Sequence, residues 1–338
     1  MIMLNSVNME SIFYSRETNW NEQFHQYVAV SAALSEEQVQ PSVKAVMDLF
    51  LVPVLTDNVV RHICQVAVDG QENDVEGMAL DEARCAAANL ALWYNFDELN
   101  THLTDQGWKR EEGDTYKSLY HYQEINLKQA YRNKGFNALD RLIRLLQSAL
   151  HVFPEFKDAP AFLDREHALV KDASEVDKFF AINQSHLVFM ALKPNIRLVC
   201  DGELEPLIGS RCYEHLETYL QTPEKEERKD YAVMEQLRRY ASAYVICLAL
   251  ARQIEIVGSL TDRGMYFDSV SAGIRNSEKS TPLPNDERKR IAYSLRKDAS
   301  RYKARLLSFI ERELPDFFCG RPEEAYRRNN DNKPTFWA

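Results

Sequence analysis

Leu103-Thr104-Asp105-Gln106-Gly107-Trp108 recurs as Leu260-Thr261-Asp262-Arg263-Gly264-Met265, 157 positions later. One six-residue match decides little by itself, but its flanks repeat in the same order. Upstream, Pro41-Ser42-Val43-Lys44 answers to Pro194-Asn195-Ile196-Arg197, and Asp48, Pro53 and Leu55 answer to Asp201, Pro206 and Ile208, all at an offset of 153. Val28-Ala29-Val30-Ser31 answers to Phe180-Ala181-Ile182-Asn183 at 152. Downstream, Leu145-Leu146 and Pro154-Glu155-Phe156 answer to Leu306-Leu307 and Pro315-Asp316-Phe317 at 161. From 153 the offset grows in steps of four, about one helical turn, so an apolar face stays in phase. The chain therefore reads as mainly α: two tandem copies of a helical-bundle unit, 20–156 and 173–317. An N-terminal arm (1–19), a connecting segment (157–172) and a tail (318–338) complete it. Two copies fall short of a solenoid, which stacks three or more.

Composition agrees with a pair of packed helical units. The 338 residues include 16 Phe and 16 Tyr, enough for a core in each half, and only 11 Gly. So little glycine disfavours turn-rich β architectures and glycine-rich phosphate loops. A net charge of −10 argues against a dedicated nucleic-acid binder. The six cysteines form no C-x-x-C pair and several sit in apolar runs, which reads as buried free thiols. The opening MIMLNSVNME lacks the basic and apolar regions of a signal peptide, and no apolar run reaches the ~18–20 residues of a membrane span.

Along each copy the expected order is the same. A short helix (Asn21–Ser31, Ser174–Asn183) precedes an apolar segment around Pro41 or Pro194. A second helix is interrupted or begun near Pro53 or Pro206. After a polar break comes the longest helix. Its face runs through Ala83, Ala87, Leu90, Ala91 and Tyr94 in the first copy. In the second it runs through Leu237, Tyr240, Ala241, Tyr244, Leu248 and Ala251. Trp93, Tyr94 and Phe96 read as core aromatics. The LTD-x-G turn is expected to end this helix, Gly107 and Gly264 supplying the left-handed backbone. An extended excursion or short hairpin then follows, over Trp108 to Asp114 and Met265 to Ser277. Past it, the pattern gives a helix over Tyr116 to Arg132, a break at Asn133-Lys134-Gly135, and a helix capped by Asn137 with a stripe through Leu139, Leu142, Ile143 and Leu146. In the second copy a helix starts near Asp286. The connection 157–172 is expected to be partly helical.

Catalytic patterns are missing from the sequence: no P-loop, G-x-G-x-x-G, H-E-x-x-H or G-x-S-x-G. Glu22-x-x-His25 and Asp164-x-x-His167 have the spacing of one arm of a di-iron carboxylate site. They do not occupy equivalent positions in the two copies, as a duplicated site would require. The sequence thus supports no catalytic, cofactor or metal residue. The expected contact residues are those of the excursions and the tail: Trp108, Lys109, Arg110, Glu111, Glu112, Met265, Tyr266, Phe336 and Trp337. A long excursion in a helical unit is usually functional or mobile. An Asn-rich tail ending in two large aromatics reads as a strap that docks on something.

The LTD-x-G turn, the helical stretch from Tyr116 to Leu146 and the Pro-acid-Phe close together resemble an uncharacterised family of duplicated helical proteins encoded by phages and prophages of gut Bacteroidales. Members tend to carry S-D-x-G-x-x-R-x-x-x-x-x-T before a long helix. Here Thr104-Asp105-Gln106-Gly107-Trp108-Lys109-Arg110 precedes Thr115-Tyr116-Lys117, and the second copy departs further, with Ser271-Ala272-Gly273-Ile274-Arg275 a rival alignment. The resemblance covers roughly 20–317. It implies a virion structural protein of the neck, similar to helical head–tail connector (adaptor) proteins that form a ring between portal and tail. Its partners would then be further copies of itself, the portal and other neck or tail proteins, with no specific nucleic-acid binding and no membrane. Its place would be the virion, after synthesis in the host cytoplasm. The competing class is a cytosolic helical scaffold or regulatory protein-binding module.

Overall fold

The computed structural model describes residues 12–14, 19–28, 36–70, 73–99, 102–104, 107–109, 121–223, 225–256, 266–267, 281–282 and 285–317. Contacts divide the chain into two compact units. Unit 1 holds 1–163, 185–190 and 266–281; unit 2 holds 164–184, 191–265 and 282–338. The described residues are mainly helical, and the order of elements in the first copy is repeated in the second.

The first copy begins with α1 (Trp20–His25) and α2 (Glu36–Val46). A single π-helical turn, Met47–Leu51, leads into α3 (Val52–Leu55), and then come α4 (Asp57–Asp69) and α5 (Asp74–Tyr94). After α6 (Phe96–Leu99), strands β1 (His102–Thr104) and β2 (Gly107–Lys109) precede α7 (His121–Ser148) and a 3-10 turn at Pro154–Asp158. The second copy answers with α8 (Ala173–Asp177) and α9 (His186–Val199), a π turn at Cys200–Leu204, α10 (Glu205–Ile208), α11 (Ser210–Gln221) and α12 (Tyr231–Ile256). It closes with β3 (Tyr266–Phe267), β4 (Thr281–Pro282), α13 (Asn285–Glu313) and a 3-10 turn at Pro315–Phe317. The initial helices are shorter than the sequence implies.

The prolines explain the π turns. In a regular helix the ring of Pro53 would press on the carbonyl four residues back and leave it without a donor. The ladder instead opens by one residue: the Val52 N–H bonds to Met47 O, and the Glu205 N–H before Pro206 bonds to Cys200 O. Both short helices then stop at a left-handed residue, Thr56 (φ 76°) and Gly209 (φ 80°). Pro41 and Pro194 lie inside α2 and α9, again at matched places.

Each unit is built on a long helical hairpin. Glu82 pairs with Arg141, the Trp93 ring meets Phe136, and Asp97 pairs with Lys128, so α5 and α7 run antiparallel. In unit 2, Tyr240 meets Phe309 and Glu255 pairs with Arg296, which sets α12 against α13 in the same sense. The apolar faces are as the periodicity requires. Ala83, Ala87, Leu90 and Ala91 are buried in one, and Leu237, Ala241, Tyr244 and Ala251 in the other.

Several expectations need correction. No break occurs at Asn133-Lys134-Gly135: α7 is continuous, and Asn137 caps nothing. Gly135 is there for close approach, since a Cβ on it would meet Leu90 Cγ at 2.6 Å. Tyr94 is half exposed, while Trp93 and Phe96 are buried. In the first copy the LTD-x-G stretch does not end the long helix. Its Leu103 pairs with Trp108 and Thr104 with Gly107 in the antiparallel β1–β2 ladder, so Gly107 sits on a strand. Residues 159–172 are turns rather than helix. They are tied down by Gln147, whose side chain brackets the Leu163 amide and carbonyl (2.9 and 3.1 Å), and by Ala161 N–H to Val54 O (3.1 Å). Finally, Ile12 and Phe13 are fully buried, so this part of the arm belongs to the core of unit 1.

Candidate functional site

The excursion connects the two long helices at the closed end of the hairpin. In unit 1 that end is built from α6 and the start of α7. Phe96 is buried, Lys128 lies 5.8 Å over its ring, and Lys128 also holds Asp97 at 2.6 Å. Behind it, the Arg132 guanidinium lies over the rings of both Trp93 (5.9 Å) and Phe136 (5.4 Å). Tyr94, Ile125 and Leu127 are exposed at this end. Large apolar side chains on a cationic, aromatic-backed platform suit a protein contact better than chemistry.

Of the residues expected to make contacts, Trp108 and Lys109 lie on β2, in register with Leu103 and His102. Tyr266 lies on β3, which pairs with β4 in a separate two-stranded sheet. Arg110, Glu111, Glu112, Met265, Phe336 and Trp337 lie outside the described residues, as do Asp105, Asp262 and Gly264.

Two duplicated constellations escaped the sequence reading. The first is a buried arginine on the central helix. Arg84 on α5 donates through Nε to Ile12 O (2.8 Å) and through a terminal nitrogen to Tyr14 O (2.9 Å). Arg238 on α12 donates to Leu169 O (2.7 Å) and pairs with Glu175 and Glu235 (both 2.9 Å). In both units the arginine latches the segment ahead of the first helix onto the central one. Burial alone would raise the Glu235 carboxyl; hydrogen bonds from Arg238 and the charges of Arg238, Lys171 and Arg239 hold it below the ordinary range. A partial signal was available: Arg84 and Arg238 stand on largely apolar helix faces 154 positions apart, the second shared with Glu235.

The second constellation is a histidine against the closing turn. His62 Nδ1 meets Glu155 Oε1 at 2.6 Å, its Nε2 lies 3.7 Å from Glu76, and its ring packs on Phe153 at 4.6 Å. His215, 153 positions later, stacks on Phe317 at 4.7 Å, and the Arg211 guanidinium lies 6.0 Å over the Phe317 ring. The Pro-acid-Phe turn is thus a clasp onto α4 or α11.

Among the described residues no group of three or more His, Cys, Asp or Glu side chains is placed to hold a metal ion. Asp164 Oδ2 and His167 Nδ1 satisfy each other at 2.7 Å. Cys200 and Cys247 are buried, and burial pushes both thiols up to about 12, which leaves negligible thiolate at neutral pH. No described helix is long and apolar enough to cross a membrane. An open groove of about 660 Å³ lies along α11, lined by Glu214, Glu217, Thr218, Gln221, Thr222 and Pro223. Thr218 and Thr222 turn their hydroxyls back to main-chain carbonyls, so the two carboxylates dominate its chemistry.

A family model described as "Family of unknown function (DUF6712)" matches the chain twice, over residues 52–165 and 204–329. Both matches open at the π turn and its proline, and together they span more than two thirds of the chain. No curated protein and no solved structure matches it.

Proposed function

The chain belongs to the DUF6712 family and carries its unit twice, and from that premise we propose that it is a structural protein of a phage virion, a helical head–tail connector of the neck that forms a ring between portal and tail. The observation that carries this reading is the recurrence, in both copies, of a β excursion in the connection between the two long helices. A helical core needs no such excursion, whereas a subunit that touches several neighbours does. The resemblance of the LTD-x-G stretch and the Pro-acid-Phe close to phage-encoded duplicated proteins supplies the word virion. The contact residues are Trp108, Lys109, Arg110, Glu111 and Glu112 in the first excursion, Met265 and Tyr266 in the second, and Phe336 and Trp337 in the tail. The protein works without a cofactor and carries out no reaction.

Negative-stain images of the purified protein, together with the protein content of particles from a phage that encodes it, test the reading. Rings of one size and presence in the particle at a fixed low copy number are expected. A protein that is monomeric alone and missing from particles would return the reading to a cytosolic scaffold or regulatory module.

A further inference from the structure

The acidic balance of the chain hides one basic helix. From Lys289 to Arg305, α13 carries seven basic residues and a single acid, Asp298, in a protein of net charge −10. Ala292, Leu295 and Ala299 face the core. Lys289, Tyr293 and Lys297 follow one another at spacings of four on the outer face, where a helix presents such residues as one stripe. Tyr293 is 71% exposed, and Lys289 and Lys297 are exposed on either side of it. The arginines nearby are already engaged: Arg290 by Glu287, Arg296 by Glu255 and Arg301 by Asp298. Lys289 and Lys297 form no ion pair among the described residues.

The groove on α11 is the complement. Glu214 and Glu217 also form no ion pair among the described residues, and they line a concave, open surface. One unit therefore displays an unpaired basic ridge with an exposed aromatic and an unpaired acidic groove. We infer that the α13 face of one copy docks into the α11 groove of the next, with Tyr293 as the anchor and Lys289 and Lys297 against Glu214 and Glu217. The occupant is a second copy of this chain rather than nucleic acid. A chain with an excess of acids opposes the many phosphate contacts on which duplex binding depends. The ridge and the groove are different patches, so the contact is heterologous, and such contacts propagate into rings when the rotation closes. Exposed ion pairs contribute little affinity singly but select partner and register; the aromatic supplies the buried area. The inference deepens the ring reading and rests on it only for closure.

The test uses the full chain and two charge reversals, Lys289→Glu with Lys297→Glu, and Glu214→Lys with Glu217→Lys. Sedimentation velocity is run on each at two salt concentrations, with a circular-dichroism melt as the control for folding. Each variant should keep its melt and lose self-association by about tenfold or more, and wild-type association should weaken with salt. An equimolar mixture of the two variants should reassemble, because each then meets an opposite charge. A wild-type chain that stays monomeric at high concentration, variants that associate like wild type, or a mixture that does not reassemble would each overturn the inference. So would tight duplex binding, followed by fluorescence anisotropy, that the Lys289/Lys297 reversal abolishes. Variants that still form wild-type rings overturn this contact but leave the neck reading standing. Charge-dependent association of a protein missing from particles does the reverse.

Discussion

Arg238 is the residue whose loss should be felt most. It is almost wholly buried and holds two carboxylates and a carbonyl at once. Arg238→Met would take from Glu175 and Glu235 their shared buried cation, leaving Glu235 only the more exposed Lys171 and Arg239, and breaking a buried pair from one side costs about 3–5 kcal/mol. Urea denaturation should show this, and Arg238→Lys should recover little, because an ammonium cannot span both carboxylates. The same network fixes a pH dependence. The Glu235 carboxyl is held below its ordinary value, as is Asp172, whose burial is outweighed by hydrogen bonds from Ser174 and the charge of Arg165. Their contribution is fully present above the unfolded carboxylate pKa, about 4, and is lost as pH falls through the lower folded values. Thermal melts of the wild type should therefore be flat from neutrality to about pH 5 and decline steeply below about pH 4. In Arg238→Met the decline should be shallower.

Two of the described helical glycines, Gly135 and Gly202, make a second pair of residue-scale expectations. A Cβ at Gly135 meets the Leu90 side chain at 2.6 Å and its backbone nitrogen at 3.1 Å, while one at Gly202 meets nothing within 4 Å. Gly135→Ala should cost about 1–3 kcal/mol through overpacking, and Gly202→Ala should gain up to about 1 kcal/mol by restoring helix propensity. Sequence alone assigned Gly135 to a helix break because it stands beside Asn133 and Lys134, residues that suit a turn. What decides its role is Leu90 on another helix, and no local window contains that.

At the scale of elements, the turn after each π segment separates the copies. Thr56 adopts φ 76° and ψ 157°, a region almost closed to residues with a Cβ, and its hydroxyl is buried without a partner. Gly209 occupies the same place without strain. Thr56→Gly should stabilise unit 1 by about 1–2 kcal/mol, the relief of strain outweighing the added chain entropy, and Gly209→Thr should destabilise unit 2 by a similar amount, both read from denaturant midpoints. The element order was legible because matched prolines, Leu-Leu pairs and closing aromatics keep a constant or stepwise offset. The hairpin was less so: LTD-x-G contains the residues of a helix stop as well as those of a strand turn, and only the pairing of Thr104 with Gly107 separates the two. The arginine latches and the paired histidines went unread because their partners are main-chain carbonyls and rings far along the chain.

For the whole molecule, the excursions and the tail are the parts to remove. Replacing Trp108–Asp114 with a Gly-Ser loop should leave helicity unchanged and impair assembly; unaltered assembly would reduce the excursion to ordinary surface. Deleting Asn329–Ala338 separates a strap on a neighbour, which would lose assembly at a constant monomer melt, from a segment that packs on its own chain, which would lower the melt. Duplex DNA should bind weakly at physiological salt, since acids outnumber bases by 51 to 41. A conduit that lets DNA slide benefits from such a surface.

The π turns also date the doubling. An irregular turn, its proline and the left-handed residue after it occur at the same place in both halves, although most side chains around them differ. The parent unit already had this bend when it was copied. Glycine fits the left-handed angle and threonine does not, so the bend is expected to have arisen on glycine, with threonine a later replacement in one half. Thr56 is then a mark of divergence, and relatives of this chain should carry glycine at that position more often than threonine.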